Sequence, residues 1–90
     1  MIYKSKDGDI SLEKLTRLYP AVIIDMQGEI AEMSLEWFEL YGDKVKFINF
    51  VLVFDYTPSG EDIKNRKVLK FLNKDELLNV MSEVVQFFQK

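Results

Sequence analysis

The chain has 90 residues, 48% hydrophobic and 13% aromatic, with a formal net charge of −3. That is enough apolar side chain for one core, and it excludes both a disordered chain and a second domain. With no cysteine and no histidine, thiol nucleophiles, imidazole bases and thiolate metal sites are excluded, and no cofactor is expected.

A small domain without disulfides points to the cytosol. The mildly acidic balance argues against nucleic acid as a partner. No apolar run reaches the roughly 20 residues of a membrane helix, so no membrane partner is expected either.

Met1 to Ser5 reads as a short strand, and Lys6-Asp7-Gly8-Asp9 as a turn. Ser11 then has the character of a helix N-cap, with Ile10 and Leu15 as a hydrophobic staple. Leu12, Leu15, Leu18 and Tyr19 continue a helical stripe that Pro20 ends. Ala21 to Ile24 is a short apolar run that predicts a buried strand, and Asp25 to Gly28 a turn.

Two patterns compete over Glu29 to Tyr41. Glu29, Glu32, Glu36 and Glu39 fall three, four and three apart, which makes one acidic helical stripe. Alternatively, Gln27-Gly28 turns a hairpin and Ala31, Met33, Leu35 and Trp37 alternate with polar residues. A helix capped by Ser34 reconciles the two. It is expected over at least 35–41, with Gly42 as its C′ residue and 29–34 left open.

Val45 to Tyr56 is the strongest strand signal. Phe47, Val51 and Val53 fall on one face; Ile48, Phe50, Leu52 and Phe54 fall on the other. Both faces are apolar, so a central strand covered twice is expected. Thr57 to Asp62 reads as a loop, without the Lys-Ser/Thr of a P-loop. Lys67 to Leu72 is the next strand. Asn73 caps a last helix whose Leu77, Leu78, Val80, Met81, Val84, Val85, Phe87 and Phe88 span a broad apolar face.

The expected architecture is therefore a single α+β domain over residues 1–90. It is a two-layer sandwich of a mixed four- or five-stranded sheet with two or three helices.

Chemistry-bearing residues are few. Ala21-Val22-Ile23-Ile24-Asp25-Met26-Gln27-Gly28 resembles the first motif of haloacid-dehalogenase-like phosphatases. The resemblance spans about eight residues and implies Asp25 as nucleophile. Gln27 stands where that family has its acid/base aspartate, and an amide cannot transfer that proton. Asp25 and Asp55 both end apolar runs; as parallel neighbours they could hold Mg²⁺ for phosphoryl transfer or hydrolysis. The plainer role for either is to cap a turn. Neither is assigned as catalytic or metal-binding.

The glutamates at 29, 32, 36 and 39 could face a basic protein partner, in the general style of small acidic inhibitor and immunity proteins. Lys64, Arg66, Lys67 and Lys70 are the basic cluster, and guard an edge strand on the simplest reading.

The reading favoured by the whole chain is a non-enzymatic interaction module that forms a homodimer. Twelve residues of strand over 45–56 would extend about 40 Å, whereas a domain of this size is roughly 30 Å across. The strand must bulge, with Asn49 the favoured place, or run out against another subunit. Surplus apolar surface on Phe50, Leu52, Phe54, Trp37, Phe87 and Phe88 would supply the interface.

Overall fold

The computed structural model describes residues 1–58, 60 and 65–88. It is an α+β fold, as expected, with two sheets and two helices. A hairpin comes first, β1 (Ile2–Ser5) with β2 (Gly8–Ser11). Then come β3 (Arg17–Met26), β4 (Glu29–Met33), α1 (Leu35–Tyr41), a 3-10 turn at Gly42–Lys44, β5 (Lys46–Asp55), β6 (Arg66–Phe71) and α2 (Lys74–Gln86). The main sheet has the order β4-β3-β5-β6, and every pairing in it is antiparallel.

The expected mixture of strand directions required a helical crossover over 11–19, and that helix is absent. Ile10 and Leu12 are both buried in the core, at a spacing of two rather than three or four. They belong to an extended segment of the β1-β2 hairpin and its exit. Lys14, at φ 63°, redirects the chain into β3. Pro20 lies inside that strand instead of ending a helix. At Pro20, β3 pairs with β5 alone, because β4 reaches only as far as Val22. An imino acid is tolerated where the strand has one neighbour.

The open stretch 29–34 resolves into the hairpin. Gln27 and Gly28 both have positive φ, 53° and 90°, which is the backbone a two-residue hairpin turn demands. Helix α1 starts where Ser34 caps it, its Oγ accepting the Trp37 N–H at 3.1 Å. Gly42 follows it, but for a different reason from the one expected. Its φ is −62°, so no left-handed turn is needed. A Cβ there would stand 2.9 Å from the Phe38 ring. The glycine makes room for an aromatic side chain.

β5 does bulge, beside Asn49. Ile23 pairs with Asn49 while Ile24 pairs with Phe47, so Ile48 is the extra residue. A bulge reverses facing for everything beyond it. Phe47 is thereby moved off the Val51–Val53 face onto that of Phe50. Phe38, Phe47 and Phe50 then form an aromatic cluster with ring centroids 4.9–5.9 Å apart. The extents of the molecule are 40 × 31 × 22 Å, and a ten-residue strand of about 33 Å fits inside the longest. The overrun argument for a second subunit therefore falls away.

The inner face of the sheet carries the core. Val22, Ile24, Phe50, Leu52, Phe54, Leu69 and Phe71 pack with Leu77 and Val84 of α2 and with Tyr3, Ile10 and Leu12. α1 adds Trp37 and Phe38 at the margin. α2 begins at Asn73, whose Oδ1 accepts the Asp75 and Glu76 N–H groups at 2.7 and 3.4 Å. No described helix is long and apolar enough to cross a membrane.

Candidate functional site

Among the described residues no helix lies over the outer face of the sheet, yet it is not open. Ala21, Val51 and Val53 are buried there, Val53 completely. Longer neighbours form a roof. In register, Tyr19 stands beside Val53, and Arg17 and Arg66 lie on either side of Asp55 in the next row. The Arg17 and Arg66 guanidinium carbons lie 4.8 and 5.8 Å from the Tyr19 ring centroid. Arg66 Nη2 donates to both carboxylate oxygens of Glu32, at 2.9 and 2.8 Å. That pair ties β6 to β4 across the face.

Electrostatics follow the roof. Burial, then the Glu32 charge, raises the Tyr19 pKa. The hydrogen bond to Glu32 raises that of Arg66. The ion pair is partly exposed, its side chains 25% and 31% accessible, so its own worth is about 0–1 kcal/mol. Burying each valine beneath is worth about 1.5–3 kcal/mol. Covering those valines is thus the larger service. The outer face is thus covered within the chain itself.

The candidate acids do not converge. Asp55 pairs with Arg17 and Asp25 lies eight positions further along β3 (17 to 25), about 26 Å away at 3.3 Å per residue. Antiparallel pairing puts them at opposite ends of the sheet. Asp25 Oδ1 accepts the Gly28 N–H at 2.8 Å and closes the β3-β4 turn. Asp55 Oδ1 accepts the Thr57 N–H at 2.9 Å. Among the described residues no three acidic side chains cluster as a metal site would need.

The hydrogen bond from Thr57, aided by the Arg17 and Arg66 charges, holds the Asp55 carboxyl below its ordinary value of 3.8. A folded pKa below the unfolded one adds stability above the unfolded value, and that stability drains as pH falls through the folded value. Asp55→Asn is expected to flatten the acid limb of a curve of urea midpoint against pH, below about pH 4. Superimposable limbs for variant and parent would remove this role.

The expected interface residues divide. Phe50, Leu52 and Phe54 are buried in the protein's own core, and Trp37 is half-buried against it. Phe87 and Phe88 stay substantially exposed. Phe87 meets Tyr3 edge-on at 6.2 Å and helps line a hollow of about 330 Å³ with Met1, Glu83 and Gln86. Tyr3 donates to Glu83 Oε2 at 2.8 Å; burial and then this bond push its pKa up to about 12.

The acidic stripe is split between two elements. Glu29 and Glu32 lie on β4, Glu36 and Glu39 on α1. Glu32 is held by Arg66, and Glu39 by Lys74 Nζ at 2.6 Å, which lowers the Glu39 pKa. Of the basic cluster, Lys64 lies outside the described residues, as do Ser59, Glu61 and Asp62 of the loop. Arg66, Lys67 and Lys70 sit on β6, a sheet edge, as expected of guards. Lys67 Nζ reaches Asp9 O at 3.4 Å, and Lys6 Nζ donates to Lys70 O and lies over the Phe71 ring. The hairpin region thus touches β6 at two points, Lys67 and the Lys70 carbonyl.

β4 is the opposite edge. No described residue pairs along its outer side, and Ile30 on it is 64% exposed. It has no lysine, proline or bulge. Sequence reasoning missed both this edge and the Tyr19 roof. The hairpin reading of Gln27-Gly28 held the signal for the edge. The roof had none, because it joins side chains from three distant segments.

No family model matches the chain, and no curated protein or solved structure proves similar to it. Its function is therefore carried by its own geometry.

Proposed function

We propose that the protein is a non-catalytic interaction module that pairs with a second copy of itself along the free edge of β4. One observation carries this reading: the two edges of the sheet are treated differently. β6 carries Lys67 and Lys70, and Lys6 of the turn between β1 and β2 donates to its Lys70 carbonyl, whereas no described residue pairs with the outer backbone groups of β4 and its strand holds no lysine. An edge with free backbone groups is a template for strand addition.

The sequence of β4 suits a two-fold antiparallel pairing centred on Ala31. Ile30 would then face the partner's Glu32, and Glu29 the partner's Met33. No carboxylate meets another directly, and the exposed Ile30 gains a neighbour. A five-residue ladder at about 0.5–1.5 kcal/mol per hydrogen bond supports a weak, concentration-dependent dimer.

Light scattering at high micromolar concentration is expected to give about twice the 10.6 kDa of the chain. Ile30→Glu would set like charges opposite each other at both ends of the pairing. It is expected to weaken the dimer about tenfold with the melting profile of the monomer unchanged, since Ile30 is exposed. A monomer mass for the parent chain, or a dimer indifferent to Ile30→Glu, sinks the reading. The phosphoryl-transfer alternative gains no support from two aspartates held at opposite ends of the sheet.

A further inference from the structure

A charged side chain closes a sheet edge to pairing, because a free charge loses water when a second strand arrives beside it. β4 carries two charges, Glu29 and Glu32. They differ in place. Glu29 pairs with Met26 at the turn, at the end of the strand. Glu32 pairs with Ile23 and shares the outer face with it. In the two-fold pairing centred on Ala31, Glu32 would stand opposite the partner's Ile30. Left free, Glu32 would be a guard of this edge.

The backbone favours that register. A two-residue turn leaves Met26 and Glu29 as a hydrogen-bonded pair, so Glu29, Ala31 and Met33 turn their N–H and C=O groups towards β3. Ile30 and Glu32 turn theirs outward. Two copies meeting on a two-fold axis at Ala31 therefore bond Ile30 of each to Glu32 of the other. The two Glu32 side chains then lie on one face as diagonal neighbours, with about 7–8 Å between their backbone positions. Free carboxylates there would repel each other, and each would lose water against an isoleucine. In this structure the Glu32 carboxylate is not free. Arg66 Nη2 holds its two oxygens at 2.9 and 2.8 Å. Arg66 comes from β6, with β5 and β3 between the two strands. The charge is thus drawn back over its own sheet beside Tyr19, and away from the β4 edge.

We infer that Arg66 is the positioning residue of self-association: by holding Glu32 it disarms the guard of the β4 edge and lets a second copy pair there. This inference rests on the β4 reading above and adds what controls it. Arg66 acts twice. It neutralises the charge that would otherwise face its own copy across the two-fold axis, and it leaves the methylene stem of Glu32 to meet the partner's Ile30. Whatever takes Arg66 away from Glu32 re-arms the edge and returns the protein to the monomer.

Sedimentation equilibrium of the full chain reads the dimer constant for the parent, Arg66→Gln, Glu32→Gln and the double variant. Arg66→Gln is expected to weaken the dimer about tenfold. Glu32→Gln removes the guard itself and should pair at least as tightly as the parent. The double variant should match Glu32→Gln, a rescue that simple damage to the Tyr19 roof would not allow. Arg66→Lys keeps the charge and loses the fork of donors, so it should fall between the parent and Arg66→Gln. Salt gives a further readout. Raising sodium chloride from about 0.1 M to about 1 M shortens the screening length from about 10 Å to about 3 Å. That should recover the Arg66→Gln dimer and leave the Glu32→Gln dimer unchanged. A dimer equally tight in the parent and Arg66→Gln, or a double variant as weak as Arg66→Gln, overturns the role of Arg66 while the β4 pairing stands. A monomeric parent removes both.

Discussion

Phe54→Ala is expected to remove a large share of the stability of this protein. Phe54 is fully buried on the inner face of β5, between Leu18 of β3 and Lys67 of β6 in register. Truncating a buried phenylalanine costs about 3–5 kcal/mol, because the lost transfer energy is joined by the cost of the cavity. A chain of this length has about 5–13 kcal/mol in total. The variant should therefore unfold at a much lower urea concentration, with partial unfolding already present in buffer if the parent lies at the lower end. A midpoint close to that of the parent would mean that Phe54 is not in the core. The inner face would then be wrongly placed.

The second large effect concerns the outer face. Val53→Asp is expected to cost about 3–5 kcal/mol, the penalty for a buried charge without a partner. Arg17 and Arg66 are near, but Arg66 is committed to Glu32, and both flank Asp55 already. An outer face simply open to water would tolerate the same change within about 0.5 kcal/mol. Urea denaturation separates these outcomes by a wide margin. A near-neutral Val53→Asp would show that the Tyr19 roof does not exclude water, and would restore the argument that this face needs a partner subunit to cover it.

These two predictions rest on features that differ in how far the chain alone reveals them. The central place of β5 follows from a run with apolar residues on both sides, and β5 is an inner strand, as β3 is; Phe50, Leu52 and Phe54, expected at a subunit interface, lie instead in the chain's own core. Helix α1 and helix α2 were legible from Ser34 and Asn73, since a cap is a local device whose partners lie two or three residues away. The hairpin at Gln27-Gly28 was legible for the same reason, although it competed with a helical spacing of glutamates that proved to be coincidence.

The misread segment, 11–19, shows the limit of such signals. Ser11, Glu13 and the Ile10–Leu15 spacing satisfy every local rule for a helix start. What overrides them is the burial of Ile10 and Leu12 against Tyr3, Phe71 and the rest of the core. That burial is worth about 1.5–3 kcal/mol per side chain, whereas a cap is worth about 1 kcal/mol. The larger, non-local term wins. Phe47 was assigned to the wrong face for a related reason. One extra residue at Ile48 reverses its direction, and a bulge near Asn49 could be anticipated without its phase.

Composition, caps, turn residues and alternation act over a few positions, so the chain by itself determined the α+β class, both helices, the central strand and the absence of thiol or imidazole chemistry. Only the tertiary structure decided which edge of the sheet is guarded, where the acids end up and what covers Val53. Those outcomes depend on antiparallel register, which sends Asp25 and Asp55 to opposite ends and lets Arg66 of β6 reach Glu32 of β4 over Tyr19. Register is a sum over many weak, distant contacts, and no short stretch of residues records it.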